Sequence, residues 1–184
     1  MNMRNLVLLI ILLSTTACEL YMAPSDSWRR MFTTQTDSDY YEGKARVMVS
    51  QVMNVTTEYD INKVSVIDFV DEGGKVPTLG EYMAARAVAE VARRRPLRVA
   101  QQGEVKEALS RLGLQASQLY TKSDVKKIGD ALGSQAIMTG KLTDLGTNID
   151  VLITLIDVAT GEVIASATGN LARTKFAVEM LRHY

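Results

Sequence analysis

Residues 135–173 read QAIMTGKLTDLGTNIDVLITLIDVATGEVIASATGNLAR, and this stretch decides the fold. After Ser134 the apolar period changes from near 3.6 to 2. Ile149, Val151, Ile153 and Leu155 fall on one face of a strand over 149–158. Asp144-Leu145-Gly146-Thr147-Asn148 before it and Ala159-Thr160-Gly161-Glu162 after it are turn sequences. Strands over 135–143, 149–158 and 163–173 therefore form an antiparallel meander. The alternation in 149–158 reads either as a core stripe or as an edge open to strand addition by a partner.

Upstream the pattern is helical. Residues 121–132 begin with Thr121-Lys122-Ser123-Asp124, turn Val125, Ile128 and Leu132 inward, and end at Gly133. Residues 103–112 carry Val105, Ala108, Leu109 and Leu112 at i, i+3, i+4, i+7, with Gly113 as the stop. Residues 97–100 (LRVA) form a short strand. Pro77 precedes Thr78-Leu79-Gly80-Glu81, a capping box for a helix whose inner face is Leu79, Met83, Ala87, Val88 and Val91. Arg93, Arg94 and Arg95 place cations at its negative end, and Pro96 prevents its continuation. Residues 63–70 (KVSVIDFV) read as a buried strand stopped by Asp71-Glu72-Gly73-Gly74. A leading helical segment, 41–62, repeats Tyr41, Ala45, Met48, Val52 and Val55 at spacings of three and four. The expected fold is a single α+β domain over 63–174 in the order β-α-β-α-α-β-β-β, its helices packed on one sheet face, followed by a tail, 175–184.

Composition narrows the chemistry. Lysine plus arginine number 21 and aspartate plus glutamate 21, so no long-range field favours nucleic acid. One cysteine allows no intrachain disulfide. The single histidine, His183, stands in the tail, away from any Ser-His-Asp or Cys-His arrangement, and zinc sites built on His and Cys are excluded by count. No phosphate-binding G-x-x-x-x-G-K-[ST] loop occurs. The reading is of a non-enzyme with no cofactor and no metal. Asp68, Asp71 and Glu72 cluster after the first strand, as a cation site or as a solvated loop. Arg93, Arg94, Arg95 and Arg98 form a basic cluster, suited to an acidic partner or to dipole compensation with exposed charge.

KVSVIDFVDEGG (63–74), RPLRVAQQGEVKEALSRLGL (95–114), DVKKIGDALGSQAIMTGKL (124–142) and IDVLITLIDVATGEVIASATG (149–169) follow one another in a familiar order. They resemble the FlgO domain of flagellar outer-membrane lipoproteins. More distantly they are similar to the curli secretion protein CsgG and the amino-terminal domain of TolB. The matching residues are structural. Gly133 permits a left-handed helix end, Gly140 a close approach or bulge within a strand, and Thr160-Gly161 the hairpin turn. The resemblance implies a scaffold rather than a catalyst, with an envelope or flagellar protein as partner and a homo-oligomer among the expected assemblies. Pore formation is not expected, because no pair of long alternating insertions is present.

The amino end supplies the address. Arg4, the apolar run 6–13 (LVLLIILL) and Ser14-Thr15-Thr16-Ala17 before Cys18 have the grammar of an export signal, residues 1–17. Cysteine directly after small residues resembles the bacterial lipobox, although Thr15 stands where leucine is usual. That resemblance implies cleavage before Cys18, diacylglycerol on its sulfur and acylation of the new amino terminus. Residue 19 is Glu, not the Asp associated with inner-membrane retention, which favours the periplasmic face of the outer membrane. Residues 18–40 then form a tether, with Trp28, Arg29 and Arg30 either on headgroups or in a solvated linker. The expected role is scaffolding in flagellar assembly or stability. The alternative is an accessory or regulatory component of another envelope machine, a curli-like secretion assembly or a peptidoglycan-synthase activator.

Overall fold

The meander forms as the sequence dictates, and a parallel pair extends it into a five-stranded mixed sheet. The computed structural model describes residues 36–184, so Cys18, the export signal and most of the tether lie outside the described residues. In chain order the elements are α1 (Asp37–Val52) with a short 3-10 turn (Met53–Val55), β1 (Lys63–Val66), α2 (Thr78–Ala92), β2 (Arg98–Val99), α3 (Gln102–Arg111), α4 (Lys122–Leu132), β3 (Ala136–Asp144), β4 (Asn148–Asp157), β5 (Val163–Ala172) and α5 (Lys175–Arg182). The sheet order is β2-β1-β3-β4-β5. β1 runs parallel to β2 and β3, and β3, β4 and β5 are antiparallel. The α+β class and the β-α-β-α-α-β-β-β order stand.

Each local element has a chemical cause. Asp37 and Asp39 sit in the first turn of α1, where the helix dipole favours anions. Thr121 caps α4 by accepting from the Asp124 N–H, and Gly133 ends that helix at φ +59°, a conformation in which a Cβ would be strained. The capping box expected at 78–81 does not form. Pro77 takes the cap position, and Thr78 turns both its N–H (2.8 Å) and its hydroxyl (3.2 Å) to the carbonyl of His183. The tail is thereby drawn onto α2, and most of it is helical.

The helices do not share one sheet face, and that expectation is corrected. Tyr41 and Met48 of α1, Leu79 and Met83 of α2 and Ala177 of α5 pack with Val64, Val66, Met138, Ile149, Val151, Ile153 and Leu155. Val105 and Ala108 of α3 and Val125 and Ile128 of α4 pack with Ile67, Ile137, Ile156 and Val158 on the other side. The reason is parallel pairing. β1 and the start of β3 are covered on both faces, so burial runs continuously from Val64 to Ile67 and from Ala136 to Met138 instead of alternating, and the one polar residue there, Ser65, is hydrogen-bonded to Ser134. In β4 the alternation of buried and half-buried residues holds from Asn148 to Ile153; from Thr154 on both faces are covered, and Ile156, which follows Leu155 onto the opposite face, joins the second core. β4 lies inside the sheet, between β3 and β5, so its alternation is a core stripe and the open antiparallel edge belongs to β5.

The strand expected over 63–70 is regular only to Val66. Beyond it the chain still follows β3: the Ile67 N–H donates to Met138, the Val70 N–H to Gly140, and the Leu142 N–H to Val70.

Candidate functional site

The basic cluster divides at the end of α2. Arg93 Nη1 lies 2.6 Å from Glu90 Oε1 and 2.9 Å from Glu42 Oε1. Arg46 approaches the same two carboxylates, at 3.0 Å from Glu42 and 3.6 Å from Glu90. Glu90 is 7% exposed in its side chain, so its charge requires these partners. The Arg93 hydrogen bond holds the Glu42 carboxyl below its usual range, and that bond in turn raises the guanidinium. Arg93 thus ties α1 to α2. Arg93 is also the C-cap of α2, its N–H donating to the Ala89 carbonyl.

Arg94 and Arg95 stand apart from that network. They line a cleft of about 480 Å³ with Asn54, Thr57, Asp60 and Leu97, beside a cis Arg95-Pro96 peptide. Arg98 lies exposed on β2. None of these three forms an ion pair among the described residues. They are the cations left available to an outside anion.

The acidic residues after β1 are dispersed. Asp68 pairs with Lys106 at 3.3 Å. Asp71 accepts from the Lys75 N–H at 2.9 Å and from the Tyr184 hydroxyl at 2.8 Å. Burial opposes ionisation of Asp71, but these hydrogen bonds prevail and its carboxyl is lowered. Glu72 is exposed. Among the described residues no group of three or more His, Cys, Asp or Glu is placed to hold a metal ion. Lys106 also meets Glu81 at 2.7 Å, the main cause of its raised pKa, and borders a cavity of about 570 Å³ with Leu109, Leu114 and Tyr184. Raised in this way, the Lys106 ammonium stays protonated. Burial pushes the Tyr120 hydroxyl up to about 12, and it donates to the Gln115 carbonyl, a loop-holding role. The His183 ring is exposed, 3.8 Å from Glu179.

The turn residues fall at tight places. Phe69 presses on Gly140. Thr160 donates its N–H (2.8 Å) and hydroxyl (2.9 Å) to the Asp157 carboxylate, and Gly161 follows at φ +67°. Sequence reasoning missed the Glu42–Arg46–Glu90–Arg93 network. Its signal was visible as an i,i+4 and an i,i+3 pair on two helices. It also missed the tail's attachment through Thr78 and Asp71, for which local pattern carries no signal.

No helix among the described residues is long and apolar enough to cross a membrane. No protein-family model matches the sequence, and no curated protein matches it. Solved structures do. The C-terminal domain of LpoB from Escherichia coli superposes with a TM-score of 0.57 at 19% identity, covering 72% of this chain and 98% of that one. The corresponding domain from Salmonella enterica gives 0.55 at 17%, covering 72% and 98%. The solution structure of Escherichia coli LpoB gives 0.57 at 17%, covering 73% and 68%. The chain therefore shares the fold of the LpoB C-terminal domain. The narrower FlgO or CsgG name does not follow from these likenesses.

Proposed function

We propose that this chain is a lipid-anchored, non-enzymatic accessory protein of the bacterial envelope that regulates a larger machine, as a peptidoglycan-synthase activator does. The observation that carries this reading is the fold likeness to nearly the whole LpoB C-terminal domain, 98% of it. That likeness favours the accessory reading over the flagellar one, which rested on motif resemblance. In this reading the acyl chains on Cys18 hold the protein to the inner leaflet of the outer membrane. Each buried methylene contributes roughly 0.8 kcal/mol, and several chains on one residue anchor stably where one does not. A tether of about 20 residues then reaches at most about 70 Å toward its partner. Arg94, Arg95 and Arg98 supply the charge that meets an acidic surface there.

Crosslinking in intact cells followed by copurification tests the proposal. Recovery of a peptidoglycan synthase supports it. Recovery of flagellar basal-body proteins instead restores the scaffold reading. Loss of palmitate labelling and release from membranes in Cys18→Ser checks the anchor separately.

A further inference from the structure

The two edges of the sheet are unlike. β2 is 2 residues long and carries Arg98, the short, charged kind of edge that discourages pairing. β5 is 10 residues long, VIASATGNLA, with no proline and no charge. The register fixes which of its backbone groups are free. The Leu145 N–H donates to Asn148 on the β3 side of the hairpin, so Ile149, Val151 and Ile153 direct their backbone groups to β5. Their partners Leu171, Gly169 and Ala167 face inward, leaving Ser166, Thr168 and Asn170 facing out. Ala172, also facing out, is satisfied: its N–H donates to the Tyr40 hydroxyl at 2.7 Å, and its carbonyl accepts from Thr174. The N–H and C=O groups of Ser166, Thr168 and Asn170 have no partner among the described residues, and all three residues are exposed.

We propose that β5 pairs antiparallel with β5 of a second copy of this chain, joining two five-stranded sheets across a two-fold axis at Thr168. Antiparallel pairing sets outward-facing residues opposite one another, Thr168 against its own copy and Ser166 against Asn170. Their side chains share one face and can hydrogen-bond across the junction. Identical strands meet here without repulsion, because β5 is uncharged. The charges flanking it, Glu162 and Arg173, are held within the domain by Lys122 at 3.3 Å and Asp144 at 2.8 Å. The occupant is a second copy rather than a foreign peptide for a structural reason. Peptides that add to an edge draw specificity from pockets for alternate side chains. No β5 residue lines the cavities beside Arg94, Lys106 or α5, whereas an identical strand needs no pocket. This inference goes beyond the proposed function and stands without it.

The test uses the full chain extracted in mild non-ionic detergent. Sedimentation should show a dimer. Thr168→Pro removes an outward N–H that the β4–β5 ladder does not use, while fixing φ there, and Thr168→Lys, which leaves the backbone unconstrained, sets two like charges face to face. Both should weaken dimerisation roughly tenfold or more, and Thr168→Lys should leave the melting temperature unchanged when it is measured at concentrations where the unaltered chain is monomeric. Thr168→Cys should form a disulfide-linked dimer above the background of the unaltered chain, since hydrogen-bonded antiparallel partners lie about 5.5 Å apart at Cα, within disulfide reach. A monomer at all concentrations overturns the proposal, as does a dimer indifferent to both Thr168→Pro and Thr168→Lys. Protection of β5 amides from exchange only when a different protein binds overturns it in favour of heterologous strand addition.

Discussion

The ring of Phe69 rests directly on Gly140, so closely that a Cβ on Gly140 would overlap the ring carbons. The carbonyl of Phe69 also lies against Gly80 of α2, so this residue is wedged between the sheet and a helix. Gly140→Ala forces the wedge outward and should destabilise the protein by about 1–3 kcal/mol, read by chemical denaturation. Phe69→Ala should cost about 3–5 kcal/mol. In the Phe69→Ala background the Gly140→Ala cost should largely vanish, because the obstructing ring is gone. Strictly additive costs would show that Gly140 is required for some other reason.

This contact shows what the sequence could and could not reveal. A glycine inside a strand pattern announces a close approach without naming what approaches. The meander, the Thr121 cap and the Gly133 stop were legible because each is encoded within a few residues. The second core was not. Ser65 interrupts the apolar residues of VSVI, so the segment does not tell whether it is covered on one face or two, and only parallel pairing with β3 decides that. The division of the arginines was equally hidden, since Arg93 owes its role to Glu42, 51 positions away in sequence. Thr78 reads as a helix cap locally and is diverted by a carbonyl 105 positions away.

Ser65 and Ser134 form a buried hydroxyl pair, Oγ to Oγ 2.6 Å, at 0% and 5% exposure. Ser65→Ala leaves the Ser134 hydroxyl without that partner and should cost about 1–3 kcal/mol. Replacing both serines by alanine removes the orphan as well as the bond. The double variant should therefore unfold at a denaturant concentration no lower than Ser65→Ala alone. A double variant weaker by the sum of the two single losses would mean that the pair makes no shared contribution.

Acid should loosen the end of the meander. Arg173 donates to both oxygens of Asp144, at 2.8 and 3.1 Å, and with the Gly146 N–H it holds the Asp144 carboxyl below its reference value of 3.8. A carboxyl depressed on folding contributes stability that is present above its unfolded pKa and is lost as pH falls through the folded one. Glu42 and Asp124 are depressed as well and act in the same direction. Stability should therefore decline as pH falls below about 4. Asp144→Asn should be less stable than the parent at neutral pH and should lose less on acidification. Parallel pH–stability curves for the two proteins would remove Asp144 from the account.

The arginines at the end of α2 should separate folding from docking. Arg93 pairs with the nearly buried Glu90 and with Glu42, so Arg93→Ala strands Glu90 with only the 3.6 Å contact to Arg46. Its melting temperature should fall, and added salt should narrow the difference from the parent because the network is partly exposed. Arg94 and Arg95 make no such pair among the described residues and line an open cleft. Arg94→Ala and Arg95→Ala should leave stability within about 0.5 kcal/mol. Arg94→Glu with Arg95→Glu should nonetheless slow association with the partner recovered by crosslinking, most strongly at low salt, because rim charges act chiefly on the rate of encounter. Unchanged association kinetics in that charge-reversed chain, with the fold intact, would move the docking surface away from this end of α2.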